Sequence, residues 1–202
     1  MGNTTIQSKS QIQRLGFFLF FLFISFNASA AEISGVWFNE NYLDQGINMS
    51  LQGTGLKSVF FFKAFAAGFY KGQGDDSDLL GNYPKRIEVQ YFINIPGEKL
   101  NNFTIDVMKN NVSKSDFEAL KEQIKQMGKY FVDLRPGDRF SLTYIPDIGT
   151  KFEHNGYLIG IIKGSAFAKA LFSVWIGKKP FDNRLKEDVL GLGSSSIKKG
   201  KV

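Results

Sequence analysis

The chain has 202 residues, is 43% hydrophobic, carries a formal net charge of +6, and contains no cysteine and a single histidine. That composition excludes disulfide and thiolate chemistry and leaves almost no material for a soft-metal site. Three of the positive charges, Lys198, Lys199 and Lys201, lie in the tail SSSIKKGKV, and no basic stripe with interleaved aromatics accompanies them, so nucleic acid is not an expected partner.

In chain order, Lys9 and Arg14 precede the apolar run Leu15–Phe26, and Ala28-Ser29-Ala30 follows as a cleavage site. This is the pattern of a secretory signal peptide over 1–30, with a mature chain starting at Ala31 in the periplasm or outside the cell. Removing Lys9 and Arg14 takes the net charge from +6 to +4. Ile33–Phe38 and Ile47–Gln52 read as short strands around a polar, turn-like Asn39–Gly46. Gly53-x-Gly55 then leads into Val59–Tyr70, an apolar run read as a bent strand, and Gly72–Pro84 reads as a polar loop. Arg86–Ile95 alternates as a half-buried strand. Glu98–Asn110 has helical spacing, and Ser113 or Ser115 caps a second helix, Asp116–Tyr130, with Leu120, Ile124 and Met127 as its stripe.

Phe140–Ile145 alternates as a strand, and Asn155-Gly156 joins Thr150–Glu153 to Leu158–Ile162 as a type I′ hairpin. A helix over Ala166–Ile176 closes on Gly177, and Asn183–Leu190 is a last short helix. Residues 194–202 read as a disordered basic tail with some attraction for an anionic membrane surface. One domain is expected over 31–193. The order of elements predicts an α+β fold, an antiparallel sheet with helices on one face.

Few residues carry candidate chemistry. His154 precedes a hairpin tip with no carboxylate cluster placed to work with it, and Ser173 lies in a helix without a nucleophile elbow. Gly53-x-Gly55 lacks the third glycine and following helix of a dinucleotide site, so it reads as a sharp turn or bulge. Asp75-Asp76-x-Asp78 lacks the spacing of a calcium loop. Lys57 differs from these, because its neighbours Leu56, Val59, Phe60 and Phe61 are apolar. Its ammonium either reaches solvent along an apolar stem or is the polar anchor of an apolar pocket.

GTGLKSVFFFKAFAAGFY at 53–70, PKRIEVQYF at 84–92 and the run from Gly149 to Gly191 give the chain its resemblance to the chalcone isomerase-like family, in its exported bacterial branch. The resemblance implies an open-faced β-sandwich with a cleft between sheet and helices. Plant enzymes of the family close a chalcone to a flavanone with an Arg, a Thr, a Tyr, a Lys and an Asn around that cleft. Other members bind fatty acids or assist other proteins. The Arg falls on Lys57, the Thr near Phe65, and the Tyr, Lys and Asn near Leu100, Phe103 and Val107. Any register of Leu100–Met108 lacks a Tyr. The resemblance therefore implies a non-catalytic binder of a fatty acid or similar amphiphilic carboxylate, with Lys57, Phe61, Phe65, Leu100 and Phe103 in the cleft and no cofactor. The alternatives are an intramolecular lyase, in which Lys57 works with Tyr91 or Tyr144, and a structural partner in an envelope complex.

Overall fold

The computed structural model describes residues 1–2, 30–75 and 77–193. The expected signal peptide and basic tail fall outside the described residues, save for residues 1, 2 and 30. Among the described residues nine strands and five helices follow one another: β1 (Ala30–Ile33), β2 (Val36–Asn39), β3 (Asn41–Asp44), β4 (Ile47–Val59), β5 (Phe62–Lys71), β6 (Lys85–Tyr91), α1 (Gly97–Asn111), α2 (Lys114–Ala119), α3 (Lys121–Met127), β7 (Arg139–Ile145), β8 (Gly149–His154), β9 (Tyr157–Ile162), α4 (Ser165–Ile176) and α5 (Asn183–Val189). Strands β3 to β9 form one antiparallel sheet in chain order, and β1–β2 is a separate hairpin.

Register assigns the two faces of the sheet. Ile87 pairs with Phe69 and Leu142, and Leu142 pairs with Phe152, so these apolar side chains share one face. Helix α4 covers them. It is apolar nearly all round, with Phe167, Leu171, Phe172, Val174 and Ile176 buried, as a helix inside a core must be. Helix α1 packs beside it through Thr104, Val107 and Met108.

The opposite face is polar and still largely buried. Arg86 pairs in register with Thr143, and Thr143 with Lys151. Glu88 lies between Arg86 and Arg139, Glu153 bonds Arg86, and Lys151 bonds Asp44 at 2.8 Å. Tyr42 lies 3.9 Å from the Arg86 guanidinium, and the β1–β2 hairpin adds Val36 and Phe38. Asp44 and Lys151 sit on strands five places apart, about 24 Å in a flat sheet at the usual strand spacing. Their contact requires the sheet to curl into a half-barrel around this face.

Several expectations are corrected by the structure. Ile33–Phe38 is not one strand but the β1–β2 hairpin, turning at Ser34 (φ 54°) and Gly35 (φ 81°). The polar Asn39–Gly46 contains β3, an edge strand whose hydrogen bonds come from β4 rather than from apolar packing. Gly53 and Gly55 form no turn: β4 runs through them, with a bulge at Gln52 between the Leu51 and Gly53 pairings. Their role is close packing, because a Cβ on Gly53 would collide with the Asp188 carbonyl and one on Gly55 would lie 2.5 Å from Leu185 Cδ1. The turn comes later, at Phe60-Phe61, where Phe60 adopts φ 55° at a cost of about 1 kcal/mol for a residue with a Cβ. The helix expected over Asp116–Tyr130 is two, broken at Leu120, and Ser113 caps the first by accepting from Asp116 N–H at 3.1 Å. Phe140–Ile145 is buried on both faces rather than alternating, because Ser141 and Thr143 join the covered polar network.

Candidate functional site

Between the apolar sheet face and helices α1 and α4 lies a cavity of 320 Å³. Its floor is Ile87, Val89 and Tyr91 of β6 with Phe140 and Leu142 of β7. Leu100, Phe103 and Thr104 of α1 and Leu171, Val174 and Trp175 of α4 form its roof. One end is aromatic. Phe181 stands edge-on to Trp175 at 5.1 Å and to Phe103 at 5.6 Å, and Phe65 lies 5.9 Å from Trp175. These edge-to-face contacts hold the wall as a unit.

The polar groups are few. Thr104 donates its hydroxyl to the Leu100 carbonyl at 2.8 Å, inside its own helix. Burial pushes the Tyr91 hydroxyl up from its ordinary value, so it stays protonated through the neutral range. Among the described residues the only charged ones lining it are Lys57 and Lys99. Lys57 is brought to the cavity because it pairs in register with Phe65. Its Nζ lies 2.5 Å from Asp182 Oδ2. Asp182 also caps α5, accepting from Leu185 N–H at 2.9 Å. Burial alone would raise the Asp182 carboxyl. The hydrogen bonds from Lys57 and Leu185 outweigh it and hold the group below the usual carboxylate range.

Beyond this ion pair is an open groove of 790 Å³, lined by β1, Thr54, Ser58, Asp182, Arg184 and Asp188. It is larger, but Glu32, Asp182, Arg184 and Asp188 interrupt its apolar residues Ile33, Leu56 and Leu185, so it offers an acyl or aromatic body no continuous apolar wall. Lys57 lines both spaces and stands between them.

Lys57, Phe65, Leu100 and Phe103 thus line one cavity. Phe61 does not: it sits at the tip of the β4–β5 hairpin and is 99% exposed. Val107 is buried between α1 and the core rather than at the cavity. Tyr91 shares the cavity with Lys57, whereas Tyr144 lies elsewhere and donates to Asn82 Oδ1 at 2.5 Å. Ser173 donates to the Ala170 carbonyl within α4. His154, at the end of β8, has one carboxylate beside it, Asp138 at 3.4 Å just before β7, and no cluster among the described residues. Among the described residues no group of three or more His, Cys, Asp or Glu could hold a metal ion.

Sequence reasoning missed Lys99, Trp175, Phe181 and Asp182. Asp182 carried a signal, since an Asp just before Asn183–Val189 is a helix N-cap. Lys99 reads in sequence as an ordinary solvated lysine near a helix start.

A curled antiparallel sheet with helices over one face and an apolar cavity beneath them defines an open-faced β-sandwich of α+β class. The chain belongs to the chalcone isomerase-like family, whose sequence profile matches residues 30–191. Among solved structures it is similar to the Arabidopsis thaliana fatty-acid binding protein AtFAP1, at 19% identity and a TM-score of 0.65, covering 80% of this chain and 96% of that one. Comparison with curated proteins gives no match.

Proposed function

We propose that this protein is a non-catalytic carrier for a fatty acid or similar amphiphilic carboxylate. The tail lies in the cavity under α1 and α4, and the carboxylate meets Lys57 at its edge, with Lys99 as a second cation. The observation that carries this reading is a cavity of ligand size whose only charged lining groups, among the described residues, are two lysines. The shared fold of a protein described as fatty-acid binding supports it. The signal-peptide pattern over 1–30 favours action in the periplasm or outside the cell, within the exported bacterial branch of the family.

Asp182 makes the reading testable, because it competes with the ligand for Lys57. Lys57→Ala is expected to weaken binding of a long-chain fatty acid about tenfold, the scale of one charge-assisted hydrogen bond. Asp182→Asn keeps the cap, frees the lysine and is expected to tighten binding. Titration calorimetry with palmitate, beside mass spectrometry of solvent extracts, measures both. A protein that carries no lipid and shows the same affinity in wild type and both variants would rule the carrier out.

Tyr91 in the same cavity as Lys57 supports one alternative, an intramolecular lyase in which the ammonium stabilises an oxyanion. Turnover of a chalcone by the wild type, lost in Lys57→Met, is the result that would favour it.

A further inference from the structure

The β4–β5 hairpin ends in three consecutive exposed phenylalanines. Phe60 is 91% exposed, Phe61 99% and Phe62 74%, and Val59 beside them is half exposed. Most rings of the described residues are buried or half-buried, whereas these three lie side by side outside the core, and a tight turn that favours glycine is given to Phe60 instead. The tip is not isolated. Val59 and Lys57 at its base line the cavity, and so do the exposed side chains of Ile93 and Phe103. Two exposed lysines flank this apolar rim, Lys63 at the start of β5 and Lys99 at the start of α1. Of the acidic groups nearby, Asp182 is taken by Lys57, and Glu98 is exposed beside Lys99.

We propose that the Phe60–Phe62 tip inserts into the interfacial layer of an anionic lipid bilayer and sets the mouth of the cavity on the membrane. Shape and size favour a bilayer over a protein. Three rings supply about 500 Å² of apolar surface, short of the roughly 800 Å² per side of a stable protein interface. They also project from a narrow tip instead of lying on a face. A bilayer accepts such a wedge, with lysines left at headgroup level. The placement agrees with the carrier reading, since an acyl chain could pass between membrane and cavity without crossing water, but the geometry of the tip stands without it.

The chain has no cysteine, so Phe61→Cys offers a single thiol for an environment-sensitive fluorophore. Tyr157→Cys, on the exposed β8–β9 hairpin, is the control. Vesicles of phosphatidylcholine and phosphatidylglycerol in equal parts are expected to shift and brighten the label at 61 and leave the label at 157 unchanged. In flotation with the same vesicles, Phe60→Asn/Phe61→Gly is expected to lose at least about tenfold in partitioning, by the transfer energy of one buried ring or more. Wild type and variant share the same terminal segments, so the difference reports the tip.

An unchanged label at 61 on vesicle-bound protein, or equal flotation of the double variant, overturns the proposal. So does lipid-independent self-association that the double variant abolishes, which would assign the tip to a second copy. Palmitate binding by the wild type in buffer separates the two readings. Insertion without palmitate binding leaves the docking surface and removes the carrier; palmitate binding without insertion does the reverse.

Discussion

Two lysines show how differently the same side chain is used. Lys57 keeps a carboxylate partner, whereas Lys85 is buried without an ion pair among the described residues. The Lys85 Nζ donates to the Gly81 carbonyl at 2.5 Å and sits 4.0 Å from the centre of the Tyr83 ring. Burial lowers its pKa to about 8, against a partial opposing pull from Asp78 and with Lys169 and Lys71 adding to the fall. The unfolded chain, near 10.5, holds that proton more tightly, so the penalty for a buried charge is fully present below pH 8 and is relieved as pH rises. Stability is therefore expected to rise by up to about 2 kcal/mol between pH 8 and roughly 9.5. Lys85→Met should flatten that slope in urea titrations at a series of pH values. Above about pH 10 the sign reverses, because burial raises the Tyr70 and Tyr91 hydroxyls and unfolded tyrosines lose their protons first.

At the scale of elements, the packing of β4 against α5 positions Lys57. Gly53 and Gly55 let the helix lie directly on the strand, and Asp182 at its N-terminus then reaches Lys57. Gly53→Ala is expected to cost about 2–3 kcal/mol, since its Cβ meets backbone, the Asp188 carbonyl and Gly191 N at 2.6 Å. Gly55→Ala should cost about 1 kcal/mol, because the atom it meets first is the end of the Leu185 side chain. Chemical denaturation gives the order, and equal losses would contradict it. These glycines also mark the limit of sequence reading. Alternation and turn residues revealed the central strands, the Asn155-Gly156 hairpin and α1, and a family pattern brought Lys57, Phe65, Leu100 and Phe103 to one place. The pattern Gly-x-Gly looks the same whether it bends a strand or admits a helix from far along the chain. The turn at Phe60-Phe61 was hidden because no turn-forming residue occupies it. Trp175 and Phe181 were hidden because their partners lie on other elements.

At the scale of the molecule, the curl of the sheet rests on paired charges: Arg86, Arg139 and Lys151 against Glu88, Glu153 and Asp44. Asp44→Asn leaves Lys151 buried without its counter-charge and is expected to cost about 3 kcal/mol. Adding Lys151→Met should restore most of that loss, and a double variant as unstable as the single one would refute the pairing as its cause. The order of the strands has a different consequence, for folding. Neighbours in the sheet are neighbours in the chain, but between β6 and β7 the segment 92–138 intervenes with α1, α2 and α3. That pairing closes the longest loop between adjacent strands of the sheet, so it carries the largest entropic cost and joins two halves that can form locally. The cavity floor straddles this seam, with Ile87, Val89 and Tyr91 on one side and Phe140 and Leu142 on the other. The cavity therefore exists only once the seam has closed, and any body held across its floor ties the two halves together.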